Sequence, residues 1–596
     1  MKGVVEMEGN RKTIQFRILL VCFLILGLVF SITLRLLWIQ TVDASDLRKR
    51  AEKIWEKQEL IEPSRGSITD RNGEPLVRDI VKYIIAADPT QVEDPKEAAE
   101  KLSPILNIPR DDLYRKLSNK GLKHVKLMGG GTYKVSRDVQ KRVMDLKLEG
   151  IYAIPTVGRQ YVEGSLAAHV LGFVNLDNSG VGGVEQRYND QLKGEPGEIR
   201  FKKDARGIRF SDGPEEFRPP RHGKDLILTL DREIQFHVER VLEQAMERYR
   251  AKGATAIVVD PRNGDVLAMA NRPTFDPEQY ATTLETGVND VNIAISNVYE
   301  PGSTFKIVTL AAAIEEGMFH PEQTFESGSI RVGGRLIRDW NGGRGWGEIT
   351  YREGVYRSSN VAFVLLGQRL GQDRMIRYIE RFGFGRITDS TGRKTGIDLP
   401  AEAKGYFFGR RLYESELATT AFGQGIAVTP LQQVMAVSAV ANGGTLYKPR
   451  VVKAVRDPET GKLTENKPEI VNERVISPET AAQVRQILTG VVEHGTGSEA
   501  ALEDYAVAGK TGTAQKPKGS GGYASDRHFV SFVGFAPAQS PKVVVYVALD
   551  EPSVESGSVS GGTVAAPVAR EILKGTLKAL KIKPQLSSLE DRVNLD

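Results

Sequence analysis

The chain has a single cysteine, Cys22, in 596 residues. No intramolecular disulfide can form, and no cysteine-built zinc site can be assembled. Histidine is scarce as well: there are seven, and no two stand at HExxH spacing, so nothing in the sequence supports metal catalysis. No basic block stands out, and Lys+Arg 81 against Asp+Glu 76 leaves a formal net charge of only +5. Nucleic acid is therefore a poor partner. Internal repeats and low-complexity linkers are missing, and the one long apolar run excludes a polytopic membrane protein. What is present is ordinary for a globular chain: 40% hydrophobic, 26% charged and 7% aromatic residues, enough for a sizeable core. At roughly 150 residues per domain the length corresponds to about four domains.

The apolar run is residues 18–34, ILLVCFLILGLVFSITL, followed by Arg35 and Trp38. With Arg35 snorkelling and Trp38 at the interface it reaches the roughly 18–20 residues that a membrane-spanning helix needs. A cleaved signal peptide would have a shorter apolar stretch and small residues at the cleavage site, whereas this run leads into RLLWIQ. The expectation is an uncleaved anchor at 18–38, with Cys22 packed inside it. Arg11, Lys12 and Arg17 precede the run and no basic residue falls between 39 and 47. That asymmetry predicts a cytoplasmic tail at 1–17, with everything beyond the anchor outside the cytoplasm.

Beyond the anchor, residues 51–60 (AEKIWEKQEL) read as a helical stalk with interleaved charges. Residues 61–94 and 151–225 carry Gly/Asp/Asn-rich turns between short strand-like pieces, and 95–150 have helical periodicity. The pattern changes near residue 225. A strand at 226–230, an amphipathic helix at 232–251, and strands at 254–260 and 264–270 are followed by a long helical middle. Strands return at 505–515, 528–536 and 542–549, before a last helix at about 563–580. This order predicts one antiparallel sheet built from both ends, with a helical subdomain inserted. The fold class is α+β. The expected domains are the tail (1–17), the anchor (18–38), an extended mixed α/β pedestal (39–225), a catalytic domain of antiparallel sheet and flanking helices (226–580), and a solvated tail (581–596).

Chemistry concentrates at three short motifs. Tyr299-Glu-Pro-Gly-Ser-Thr-Phe-Lys306 holds the only S-x-x-K in the chain. Pro301-Gly302 makes a turn and Ser303 opens a helix, so Ser303 and Lys306, at i and i+3, share a face. A serine hydroxyl needs an adjacent base, and a lysine serves only where burial and neighbouring cations lower its pKa. Phe305 and the apolar helix supply that setting, and a helix N-terminus offers free N–H groups to an oxyanion. Standing alone, SxxK more often means an N-cap serine and an exposed lysine.

Arg357-Ser-Ser-Asn360 comes next, before the apolar helix VAFVLLGQRL. Ser358 can relay a proton, and Asn360 can hold Lys306 or a substrate amide, although an isolated S-x-N is usually a helix cap. The third motif is Lys510-Thr-Gly-Thr513 at the end of the strand YAVAG. A phosphate loop would require glycine at position 504, which is Asp504. A strand edge with Lys510, Thr511 and Thr513 suits a carboxylate instead, with Gly512 letting a substrate backbone come close. A second KTG, Lys394-Thr-Gly396, lies in a turn-rich segment and is expected to be a loop.

SxxK, SxN and KTG in this order resemble the motif set of the penicillin-recognising serine enzymes. Three further segments resemble the pedestal of class B penicillin-binding proteins, which are membrane-anchored peptidoglycan transpeptidases. They are Arg65-Gly-Ser-Ile-Thr-Asp-Arg-Asn-Gly73, Gly158-Arg-Gln-Tyr161 with Ala168-His-Val-Leu-Gly-Phe173, and Gly182-Gly-Val-Glu185 with Tyr188. The run GFVNLDNSGVGGVEQRYND is more similar to the division and sporulation branch than to the elongation branch. Val162 departs from the family, which often has proline there.

The resemblance implies that Ser303 attacks the penultimate D-Ala of a stem peptide ending in D-Ala-D-Ala, with Lys306 as base and Ser358 passing a proton to the leaving amine. It implies an oxyanion hole from the backbone N–H groups of Ser303 and Thr513. Asn360 would orient Lys306 and the donor, and Lys510, Thr511, Gly512 and Thr513 would hold the terminal carboxylate. No metal or organic cofactor is implied. β-Lactams would acylate Ser303, and a multi-spanning glycosyltransferase and other division or sporulation membrane proteins would be partners. A D,D-carboxypeptidase or β-lactamase, and a non-enzymatic β-lactam sensor or scaffold, are the alternatives. The long pedestal argues against the hydrolases, and the intact motif set argues against the scaffold.

Overall fold

The structure, a computed structural model, describes residues 2–129, 134–175, 177–202, 216–280, 290–386, 389–392, 394–407, 411–518 and 522–584. The expected tail at 581–596 lies almost wholly outside the described residues. The chain divides into two compact units, 1–63 with 195–221, and 64–194 with 222–596.

In the first unit a single helix runs from Lys2–Thr41. Its segment Thr13–Thr41 is, among the described residues, the one helix long and apolar enough to cross a membrane. At 1.5 Å per residue it outlasts the roughly 30 Å hydrocarbon core, so the apolar helix extends past both ends of 18–38. The stalk is only partly helical. A helix over Ala44–Trp55 stops, and Glu56–Ile61 is a strand paired antiparallel with Gly197–Lys202, which in turn pairs with Glu216–Arg218. Residues 56–60 have ordinary helix formers, but pairing with a segment some 140 positions away overrides that local preference.

In the second unit, the N-terminal portion is built on the long strand Pro75–Ala87, which pairs with Ile151–Tyr161 from Val77↔Tyr161 to Ala87↔Ile151. Helices Pro95–Leu106, Arg110–Leu117 and Arg137–Met144 fill the expected helical stretch. The pedestal-like segments meet at Glu185. Arg65 donates from Nε to Glu185 Oε2 (2.7 Å), and Arg159 donates from Nε to Glu185 Oε1 (2.7 Å) and from Nη1 to Asp79 Oδ1 (3.0 Å). Both arginines and Glu185 are buried. Separate short motifs thus converge on one charge cluster.

The strand Asp225–Leu228 is a correction to the expected sheet. It pairs parallel with Ile68–Thr69 and antiparallel with Val452–Arg456, so it joins a seven-stranded sheet that takes strands from both sides of residue 225. Its short run, DLIL, is almost wholly buried, and an apolar run of that kind does not specify which sheet it enters.

The catalytic portion starts with helix α1 (Arg232–Tyr249), capped by Asp231, and strands β1 (Gly253–Asp260) and β2 (Asp265–Arg272). Helices α2 (Lys306–Glu315) and α3 (Asn360–Arg381) follow in the inserted middle. Strands β3 (Ala508–Pro517), β4 (Tyr523–Ala536) and β5 (Val543–Asp550), then helix α4 (Ala566–Ala579), close it. The sheet order is β2-β1-β5-β4-β3, antiparallel throughout, as expected of a sheet made from both ends. Strand β5 reads VVVYVALD without polar alternation because both its faces are covered. Val543, Val545, Val547 and Leu549 pack with α1 and α4, while Val544, Tyr546 and Ala548 face the cluster that includes α2 and α3. The period of two assigns alternate residues to opposite faces. The edge strand β3 is left to carry the site.

Candidate active site

Residues Gly302–Phe305 form one 3₁₀ turn that feeds α2. Gly302 has φ +53°, and its N–H donates to Gly423 O at 3.0 Å. A Cβ on Gly423 would lie 2.1 Å from Gly302 O, so glycine is required for the two loops to touch. Thr304 Oγ1 donates to Pro301 O (2.8 Å) and Gln433 Nε2 donates to Thr304 O (3.1 Å). The turn that presents Ser303 is thereby fixed on its far side. Lys306, one turn on, is buried among Phe305, α2 and the Phe363 ring, whose centroid is 5.3 Å from Nζ. Its Nζ donates to Ser358 O (2.8 Å), Ser358 Oγ (3.3 Å) and Asn360 Oδ1 (2.9 Å).

The expectation that S-x-N is usually a cap is met by its middle residue. Ser359 Oγ accepts from Ala362 N (3.1 Å) and so caps α3, which leaves Ser358 and Asn360 to face the lysines. Ser358 is held in the left-handed region at φ +56°, a conformation that costs a serine roughly 1 kcal/mol or more and is typical of functional positions. Asp339 holds the motif in place. Its carboxylate is buried and accepts from Ser359 Oγ (2.9 Å), Val361 N (3.1 Å) and Gly328 N (2.8 Å). Asn360 Nδ2 donates to Arg338 O (2.9 Å), which fixes its amide so that the oxygen meets Lys306.

Strand β3 brings the third motif alongside. Lys510 is buried, and its Nζ donates to Ser358 Oγ (2.8 Å) and Thr511 O (3.3 Å). Thr511 Oγ1 is 2.9 Å from Thr496 Oγ1, and Thr513 Oγ1 accepts from Gly561 N at 3.0 Å. Gly512 faces inward: a Cβ there would meet Ser531 Oγ at 2.5 Å and Thr304 Cγ2 at 3.0 Å. Its lack of a side chain lets the SxxK turn pack against β3. A Cβ built on Gly302 comes 3.7 Å from Thr513 O, so the Ser303 turn and the Thr513 backbone are neighbours, the arrangement a shared oxyanion hole needs.

Ser358 Oγ therefore sits between two lysine ammonium groups. Burial, and then the charge of Lys510, push the Lys306 pKa well below its ordinary value against the opposing pull of Asp339. Burial alone pushes Lys510 down to about 7. A neutral Lys306 has one lone pair and two N–H groups, so it can take a proton from a hydroxyl while still donating to Asn360. Ser303, Ser358, Asn360, Thr511 and Thr513 all line one cleft of about 1060 Å³, large enough for a peptide terminus. This arrangement suits attack of an activated serine on an acyl carbon whose flanking carboxylate is held by hydroxyls.

All the expected site residues are brought together, while Lys394-Thr-Gly396 is not among them. Thr395 and Gly396 donate to Glu402 instead, closing a loop. Asp339 and Gln433 were not found by sequence, because a lone acid in a turn and a glutamine inside an apolar helix have no local signature. Among the described residues no group of three or more His, Cys, Asp or Glu is placed to hold a metal.

Comparison with known proteins identifies the family. The family described as penicillin binding protein transpeptidase domain matches residues 254–574, and the penicillin-binding protein dimerisation domain matches 60–228. The chain is 40% identical over 590 residues to stage V sporulation protein D of Bacillus subtilis, covering 98% of this chain and 89% of that one. To the peptidoglycan D,D-transpeptidase FtsI of Escherichia coli it is 30% identical over 594 residues, covering 98% and 95%. Among solved structures, penicillin-binding protein 3 of Mycobacterium tuberculosis, complexed with aztreonam, is 29% identical with a TM-score of 0.67, covering 89% of this chain and 98% of that one.

Proposed function

The chain belongs to the class B penicillin-binding proteins and is a penicillin-binding peptidoglycan D,D-transpeptidase; from that premise we propose that it works through a Ser303 acyl-enzyme in septal or spore-wall synthesis. Ser303 Oγ attacks the carbonyl carbon of the penultimate D-Ala, and its proton passes to neutral Lys306. The backbone N–H groups of Ser303 and Thr513 receive the oxyanion. Ser358 hands a proton to the departing D-Ala amine, the C–N bond breaks, and an ester to Ser303 remains. Lys510, Thr511 and Thr513 hold the terminal carboxylate, the lysine by its charge behind Ser358 and the threonines by their hydroxyls. Asn360 orients Lys306 and the donor amide. An amine of a second stem peptide then resolves the ester. The observation that carries this reading is the buried Lys306–Ser358–Lys510 chain beside the cleft.

The 40% identity to a protein named for stage V of sporulation supports the spore-wall or septal role. The apolar helix Thr13–Thr41 serves as a single-pass anchor, with the N-terminus cytoplasmic and residues 39–580 outside. Residues 39–225 act as pedestal and 226–580 as catalytic domain, and the anchor and pedestal meet a multi-spanning glycosyltransferase. The test of the activity is formation of cross-linked muropeptide dimers from polymerised glycan with pentapeptide stems. Wild type yields dimers and free D-Ala, and Ser303→Ala yields neither. Dimers made by Ser303→Ala would overturn the assignment.

A further inference from the structure

A second cavity of about 550 Å³ adjoins the catalytic cleft, and Trp340, Gly495 and Thr496 belong to the walls of both. Its character differs from that of the cleft. Trp340 is 63% exposed, an unusual condition for so large a ring. Trp346 lies 6.0 Å from it, centroid to centroid, and the Arg357 guanidinium sits 5.5 Å over the Trp346 ring. Trp340 Nε1 donates to Arg357 O (2.8 Å), so the aromatic pair is held directly before the SxN motif. Arg352 adds a second guanidinium to this wall, which also holds Glu353, the partner of Arg357.

We propose that this groove is the acceptor subsite, which holds the second stem peptide while its primary amine attacks the Ser303 ester. The inference rests on the transpeptidase reading above. Microscopic reversibility supplies the location, because the arriving amine must take the place and line of approach of the amine that left. The departing D-Ala has its carboxylate at Thr511 and Thr513. Thr511 Oγ1 lies 2.9 Å from Thr496 Oγ1, and Thr496 is common to both cavities. A peptide entering along that line leaves the cleft past Thr496 and lies in the groove.

The lining matches such a ligand. Stem peptides have free carboxylates, and a guanidinium binds them in forked geometry. Arg352 pairs with Glu322 and also hydrogen-bonds Tyr356, and Arg357 pairs with Glu353, all near the surface, but each guanidinium has five N–H donors, so these partners do not exhaust it. The indole faces cover the aliphatic stem of the nucleophilic side chain. In the step itself the amine nitrogen bonds to the acyl carbon and the carbon–Oγ bond of Ser303 breaks. The amine's proton returns to Oγ through Ser358 and Lys306, so no further reactant is needed.

The experiment uses the full chain in detergent, a D-alanyl thioester as donor, and a soluble stem peptide with a free side-chain amine as acceptor. Amide and free-acid products are quantified against acceptor concentration, and acylation by benzylpenicillin is timed on the same preparations. Arg352→Ala and Trp346→Leu are expected to raise the acceptor concentration for half-maximal amide formation by about tenfold, the scale of one lost charged hydrogen bond. Acylation should stay within about twofold of wild type on the same scale, and Arg352→Lys should recover part of the loss. Wild-type acceptor dependence in both alanine and leucine variants overturns the groove alone, as does an equal fall in acylation and amide formation. Wild type that yields only free acid at every acceptor concentration contradicts the transpeptidase reading itself, and the groove falls with it.

Discussion

Two buried charge clusters set the pedestal apart from the catalytic site. Around Glu185, cations and anions alternate: Arg65 and Arg159 share one carboxylate, and Arg159 also pairs with Asp79. Burial opposes charge on Arg159, but Glu185 and Asp79 outweigh it and hold its pKa above the ordinary value. Around Ser358 the two charges have the same sign, and the nearby acid Asp339 spends its hydrogen bonds on Ser359, Val361 and Gly328. There burial wins, and Lys306 is driven toward its neutral form. Equal burial thus keeps a cation charged where it is paired and drives it toward its neutral form where it is not.

That contrast can be broken from either side. Lys306→Met should have the largest effect, lowering benzylpenicillin acylation by about 10³–10⁴, near the upper range for general-base catalysis, while the melting temperature does not fall. Glu185→Gln should do the reverse. It leaves two buried arginines short of a partner and costs about 3–5 kcal/mol in denaturant unfolding, with acylation per folded molecule unchanged. A loss of acylation in the pedestal variant, or of stability in the lysine variant, would dissolve the distinction.

Lys510→Met sharpens the comparison. Removing one of two like buried charges should stabilise the protein by about 1 kcal/mol at neutral pH, read in the same unfolding assay, while acylation drops. The sign follows from linkage. Lys510 titrates near 7 when folded against an ordinary 10.5, so between those values the unfolded chain binds more protons and wild-type stability rises with pH. The variant should lack that part of the rise. The same shift predicts that kcat/KM for a carboxylate-bearing substrate falls as pH passes about 7, since Lys510 loses its charge there. In Lys510→Arg that descending limb should vanish. Ser359→Ala should affect stability alone: it loses the α3 cap and the Asp339 contact and should cost about 1 kcal/mol, measured by thermal unfolding.

The three motifs were legible because each acts within one local element, a helical turn, a cap and a strand edge, whose geometry follows from spacing. The five-stranded sheet was legible from the runs at 254–270 and 505–549. Glu56–Ile61 and Asp225–Leu228 were misplaced for one shared reason: strand partners are chosen by distant residues, Gly197–Lys202 for the first and Val452–Arg456 for the second. Lys510 was expected to lend its charge to the substrate carboxylate, and the contact of its Nζ with Ser358 Oγ was not foreseen. Which of two motifs a lysine will touch is decided by the packing of β3 on the Ser303 turn. Asp339 shows the same limit, since its three acceptor contacts join residues 328, 359 and 361.

The central claim is that burial beside a second lysine makes Lys306 the base for a nucleophilic Ser303. Its most direct test is intact mass of the protein after brief benzylpenicillin treatment, for wild type, Ser303→Ala and Lys306→Met. The account predicts a lasting adduct of one drug mass on wild type, none on Ser303→Ala, and an adduct on Lys306→Met only after far longer exposure. An adduct that forms on Lys306→Met as fast as on wild type, or on Ser303→Ala at all, would contradict it.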